Sequence, residues 1–304
     1  MNFKLRNFFK QINLLSPSKL TNLGCTRSIS QFNPIKNKIV EIKNPKILDD
    51  KNQVNSHSNL GEIEFIKKTY KWTTFSLIGT IVTSCSVLPI QLLIDPTPSG
   101  VAKMSLFGIC LGVCGICGVS FIEPEIHSKI INDGITKTEY LYSTNNNIRT
   151  ISYLSIILGM GMTMSPLMVY PAVQDILLPV IGTTGLIGYG SIKYFDKSIK
   201  NGKMELFGPA LNGALYSLIA CGIVGGGSHM LLGPNSLTHV LSQIDTYAGI
   251  SLFTLLIAYD TWKAHECYKN KNPDHMGCSL NLYLDSLNIL IRLMNVYLKI
   301  KDQK

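Results

Sequence analysis

Two carboxylates stand in apolar sequence: Asp260 closes the run Ser251 to Tyr259, and Asp285 lies inside Leu280 to Leu298. An ionised side chain at the centre of a hydrocarbon-length segment costs roughly 2.5–3.5 kcal/mol on insertion scales, so acids that persist there mark a candidate functional site. Two carboxylates in contact and out of water cannot both ionise cheaply, and they titrate as a unit. With one proton they hold each other through a carboxyl–carboxylate hydrogen bond. With none they repel, or accept a hard divalent cation such as Ca²⁺, whose roughly six to eight oxygen ligands water and main-chain carbonyls would have to complete. The chemistry open to Asp260 and Asp285 is therefore the exchange of protons for calcium.

The neighbours qualify this. Tyr259 and Thr261 flank Asp260, while Asn288 and Arg292 follow Asp285 by three and seven residues and share a helical face with it. A guanidinium from Arg292 beside Asp285 would neutralise that acid and oppose proton sensing. Spacing alone leaves two readings open, an ion pathway and an interhelical clasp that transports nothing.

The elements that position these residues are apolar segments at about 73–94, 101–122, 151–171, 173–194, 206–232, 237–262 and 279–298. Each approaches or exceeds the about 20 helical residues that cross a ~30 Å hydrocarbon core, so an all-α polytopic membrane protein of about seven helices is expected. The composition agrees, with 46% apolar and only 15% charged residues. Pro89, Pro166 and Pro179 lie within or near helices and are candidate kinks.

Loop charges predict the orientation. Three basic residues follow the second helix (Lys129, Lys137, Arg149), four the fourth (Lys193, Lys197, Lys200, Lys203) and three the sixth (Lys263, Lys269, Lys271), against Lys103 alone after the odd-numbered ones. The positive-inside rule puts the N-terminus with the basic loops, and Asp260 and Asp285 at similar depth near that face. Seven spans place Lys299, Lys301 and Lys304 opposite, a conflict that a last helix which enters and returns would remove.

Of the 28 Lys and Arg, 13 precede residue 73, so the net charge of +9 does not describe a nucleic-acid-binding surface. Residues 1–30 are basic, free of acids and amphipathic, the pattern of a mitochondrial transit peptide, with cleavage expected near Cys25 to Ser30. Residues 31–68 read as a polar linker without packed structure, and 69–300 as the transmembrane helical domain. Cys110, Cys114 and Cys117 are expected to line one helical face with Gly108, Gly112, Gly115 and Gly118, as small residues for close packing rather than a redox or metal pair. His127, His229, His239, His265 and His275 lack metalloenzyme spacing and read as solvated loop or helix-end residues; Gly225-Gly-Gly227 follows no strand and precedes no P-loop lysine. Neither an enzyme nor a resident cofactor is expected.

The stretch Tyr247-Ala-Gly-Ile-Ser-Leu-Phe-Thr-Leu-Leu-Ile-Ala-Tyr-Asp-Thr-Trp-Lys263, followed by Leu280-Asn-Leu-Tyr-Leu-Asp-Ser-Leu-Asn-Ile-Leu-Ile-Arg292, resembles the C-terminal signature of the Bax inhibitor-1 family, also called the transmembrane BAX inhibitor motif family. Ser165-Pro-Leu-Met-Val-Tyr-Pro171 and Phe207-Gly-Pro-Ala210 resemble its mitochondrial branch, the growth-hormone-inducible transmembrane protein group, and a weaker match at Phe65-Ile-Lys-Lys-Thr-Tyr70 extends the likeness over about 65–300. The resemblance implies a helical bundle around a central last helix and a pH-sensitive di-aspartyl site, Asp260 and Asp285, that controls Ca²⁺ passage. It further implies the mitochondrial inner membrane, Ca²⁺/H⁺ exchange, crista organisation and cytochrome c retention. The partners expected are the lipid bilayer and inner-membrane or respiratory-complex proteins; a non-transporting scaffold is the competing expectation. Two departures stand out: Trp262 replaces the Gln common after Tyr-Asp-Thr, and the second helix carries no internal base of the kind that latches the acids in some members.

Overall fold

The computed structural model describes residues 51–95, 97–132, 137–169, 171–200, 203–233 and 236–302. Seven long helices dominate: α1 (Lys51–Ile94), α2 (Pro98–Phe121), α3 (Asn147–Met164), α4 (Pro171–Lys200), α5 (Gly208–Leu232), α6 (Ser236–Lys269) and α7 (His275–Asp302). Six of them, all but α7, are long and apolar enough to cross a membrane. The chain is a multi-pass membrane protein whose last helix is the central one: α1, α4 and α6 pack around α7, with α2 joined through α3 and α5 through α6.

Local sequence sets the helix ends. Thr97 caps α2 by accepting from the Gly100 amide, with Pro98 at the first helical position, and Asn146 caps α3 by accepting from Ile148. Pro89 and Pro179 lie inside α1 and α4, which continue through them, whereas Ser165–Val169, including Pro166, forms a 3₁₀ turn between α3 and α4. The Gly225 to Gly227 run lies within α5 and does not interrupt it.

The turn between α6 and α7 is short and fully specified. Lys271 adopts φ 58°, the Asn272 amide donates to Cys267 O and the Lys271 amide to Tyr268 O, which together form a Schellman termination with a lysine where glycine is usual. Pro273 follows. Asp274 then caps α7, its Oδ1 accepting from the Gly277 amide at 2.9 Å.

Four expectations are corrected. Helix α1 begins at Lys51, so 51–68 is helical rather than linker; Phe65 supplies the reason, being buried against Ala264 and Cys278 with its ring 5.5 Å from that of Tyr268. Residues 1–50, with the predicted leader and the rest of the linker, lie outside the described residues. An antiparallel hairpin, β1 (Glu125–Asn132) and β2 (Lys137–Thr144), occupies the segment after α2, where Asp133-Gly134 between the two runs was the turn signal to read. The cysteines and glycines of α2 do not share a face. Cys110 and Cys114 are exposed, while Gly108 and Gly112 meet Gly159 of α3 backbone to backbone.

Finally, α7 runs unbroken for 28 residues, about 42 Å at 1.5 Å per residue, and does not enter and return. Lys301 near its end pairs with Asp175, the fifth residue of α4, which places the two helix ends together.

A Cβ at Gly159 would lie 2.5 Å from Gly108 O and from the Gly112 amide nitrogen, whereas one at Gly182 meets nothing within 4 Å. Gly159→Val should therefore destabilise the detergent-solubilised protein by about 1–3 kcal/mol, and Gly182→Ala by well under about 1 kcal/mol. Thermal unfolding followed by tryptophan fluorescence checks both; equal midpoints for the two variants would refute the backbone contact.

Candidate functional site

Asp260 lies nine residues before the end of α6 and Asp285 ten residues after the start of α7. At 1.5 Å per residue the two are about 13.5 and 15 Å from their helix ends, level with each other across an antiparallel pair. The register set by the turn thus brings the acids face to face, close enough for each carboxyl group to act on the other. Asp285 is 2% exposed and Asp260 half-buried.

Asp285 Oδ2 is buried and has no hydrogen-bond partner among the described residues. Two ionised carboxylates have no hydrogen to share, so a bond between them requires one proton. Lys263, one turn beyond Asp260, adds a positive charge on that acid's side.

Of the expected supporting residues, Asn288 and Arg292 bond to groups other than Asp285. Tyr259 packs with Trp262, Met204 and Phe195, its ring 5.4 Å from that of Trp262. Asn288 donates to Leu284 O at 2.8 Å and accepts from Arg292 Nη1 at 3.2 Å. Arg292 pairs with Asp245 of α6 at 3.2 Å, which removes the expectation that it neutralises Asp285. The reason is reach: Arg292 is two turns past Asp285, about 10 Å along the axis, and its side chain extends towards Asp245. Among the described residues no group of three or more His, Cys, Asp and Glu side chains is placed to hold a metal ion, so Asp260 and Asp285 form a two-carboxylate site.

Two residues gathered around the start of α7 were not anticipated. Arg149, read as a loop charge, is 2% exposed in the first turn of α3; its Nη2 donates to Asp274 Oδ2 at 2.6 Å, its Nη1 to Asn145 Oδ1 at 3.0 Å and its Nε to Val119 O at 3.3 Å. His275, read as solvated, is buried, with Nδ1 2.7 Å from Ser143 Oγ and Nε2 3.0 Å from Asn145 Nδ2. His265 pairs with Glu62 of α1 at 2.6 Å. Only Asp274's place after Pro273 signals such a cluster in the sequence.

The family model described as "Inhibitor of apoptosis-promoting Bax1" matches residues 62–303, which include all seven helices but the first turns of α1. The chain belongs to this family. No curated protein and no solved structure matched it. Both acids, the Arg149–Asp274 pair and the Arg292–Asp245 pair lie within the matched Bax1 inhibitor region.

Breaking a buried ion pair by removing one partner costs about 3–5 kcal/mol, whereas replacing both by apolar residues is often neutral. Arg149→Met should accordingly lower the midpoint of thermal unfolding more than the double change Arg149→Met with Asp274→Leu. A double variant no more stable than the single one would refute the pairing. Burial, helped by the Lys68 ammonium and opposed by Asp274, pushes His275 down to about 4. The unfolded chain then binds more protons between about pH 6.5 and 4, so up to about 3 kcal/mol of stability is complete above that window and lost as pH falls through it. Unfolding midpoints at about pH 7 and 4.5 should differ less for His275→Gln than for the parent chain; an equal difference would remove His275 as the cause.

Proposed function

We propose that the chain is a pH-dependent Ca²⁺ pathway of the mitochondrial inner membrane, exchanging Ca²⁺ for H⁺ at Asp260 and Asp285. The observation that carries this reading is the approach of two acids inside the bundle, with the buried Asp285 Oδ2 left without a hydrogen-bond partner among the described residues. Such a pair is held by one proton, and a divalent cation is the other ligand that satisfies both oxygens. Each Ca²⁺ that binds displaces the shared proton, and each returning proton restores the clasp between α6 and α7. Occupancy by Ca²⁺ therefore rises with pH, with water and carbonyl oxygens completing the ligand set.

The acid-free basic leader supports the mitochondrial assignment, and the basic loops support an N-terminus in the matrix. Arg149 counts for little in that balance, since it is buried and paired. Crista organisation and cytochrome c retention, which the likeness to the mitochondrial branch implies, belong to the same proposal as consequences of controlled matrix Ca²⁺.

The test is flux into proteoliposomes holding a Ca²⁺ indicator, under an imposed pH gradient. Asp260→Asn and Asp285→Asn should each lower the rate by at least about tenfold, because an amide cannot take up or release the coupled proton. Flux unchanged in both variants sinks the di-aspartyl mechanism. Absence of flux under every gradient favours the scaffold reading, in which the shared proton only ties two helices.

A further inference from the structure

Beyond the acid pair, α6 and α7 form a second polar site around a guanidinium. Arg292 is 3% exposed; its Nε donates to the Asp245 carbonyl oxygen at 3.0 Å, Nη2 to Asp245 Oδ1 at 3.2 Å and Nη1 to Asn288 Oδ1 at 3.2 Å, and its guanidinium carbon lies 4.8 Å from the Phe253 ring centroid. A carboxylate, a carbonyl, an amide oxygen and an aromatic face are surroundings that suit a cation. Here the cation is tethered to the chain.

The niche is made by an absence of side chain. A Cβ built at Gly249 would clash with Arg292 Nε, so any larger residue on α6 at this level displaces the guanidinium. Position matters equally. Asn288 and Arg292 follow Asp285 by three and seven residues, towards the end of α7 where Lys301 meets Asp175 and away from the α6–α7 turn. Whatever passes from the acid pair to that far face along the α6–α7 seam meets Arg292.

We infer that Arg292 is a tethered cation that closes the α6–α7 seam between the Asp260–Asp285 pair and the far face, occupying an oxygen cluster where a passing metal cation would otherwise rest. A guanidinium stays protonated at every physiological pH, so this closure does not follow the proton that governs the acid pair. It opens only when the side chain leaves Asp245, and it then exposes a third carboxylate along the same seam. That permeating ions reach the acids from the turn side rests on the function proposed above, but the closure itself is a property of the packing and can be read without transport.

The experiment is thiol labelling of the full-length chain with its native cysteines replaced by serine and with Ile289→Cys, a position between the acids and Arg292 that makes none of the guanidinium's bonds. A membrane-impermeant cationic thiol reagent is applied to the far face of oriented vesicles. In this parent, labelling is slow. Gly249→Ala, which displaces the guanidinium without removing a charge, and Arg292→Gln, which removes it, should each raise the far-face rate by about tenfold or more, as expected when a charged constriction is withdrawn. Fast labelling of the parent, or an unchanged rate in both variants, overturns the inference. Ca²⁺ flux in the same vesicles separates the two ideas: raised labelling without flux in any variant leaves the closure standing and removes the transport reading, whereas flux with unchanged labelling does the reverse.

Discussion

A charge enters the interior of this bundle only with a counter-charge or with a proton, and the α6–α7 hairpin meets that constraint three times along its length. At the start of α7, Asp274 is matched by Arg149; ten residues into the helix, Asp285 is matched by Asp260; seven residues on, Arg292 is matched by Asp245. The first and third solutions pair opposite charges, and an arginine keeps its charge over the whole biological pH range. The second pairs like charges and is stable only with a proton between them. Of the three contacts, therefore, it is the middle one whose state follows pH.

The contact exists because of the turn. A Schellman termination through Lys271, Pro273 and the Asp274 cap leave five residues between α6 and α7, and with so short a connection the antiparallel register is fixed. Residues equidistant from the turn then face each other, and 260 and 285 are such positions. Asp274 joins the turn to the rest of the fold, because one of its oxygens caps α7 while the other holds Arg149 of α3. His275 and Ser143 add the hairpin to the same corner. The geometry of the acid pair thus depends on residues about 13 to 15 Å away from it at 1.5 Å per residue.

What the sequence revealed divides along the same line. Asp260 and Asp285 were legible because an acid in an apolar run is anomalous on its own, and the six helices long and apolar enough to cross a membrane were legible because their length and composition answer to hydrocarbon. Partnerships were not. Arg292 shares a face with Asp285, yet its partner, Asp245, comes from α6 forty-seven residues earlier, and only the packed register and the empty space at Gly249 select it. Arg149 looked like a loop charge because it follows a polar segment, and helix α3 then begins two residues before it. Helix α1 reaches back to Lys51 through polar sequence that periodicity alone does not mark, with Phe65 seated against α6 and α7.

The same reasoning explains why length and composition count six spans where the fold has seven helices. A helix facing lipid must be apolar around its lipid-exposed surface, but α7 is enclosed by α1, α4 and α6, and nearly every residue from Met276 to Met294 is buried or half-buried in protein. It can therefore carry Ser279, Asp285, Asn288 and Arg292, and on its α1 side Tyr283, whose hydroxyl lies 2.6 Å from Thr80 Oγ1. The polar groups that remove α7 from a count of membrane-like sequence are those that its central position allows. A helix that is too polar for lipid and continuous from one end of the bundle to the other is an element along which polar groups can line up inside the bundle.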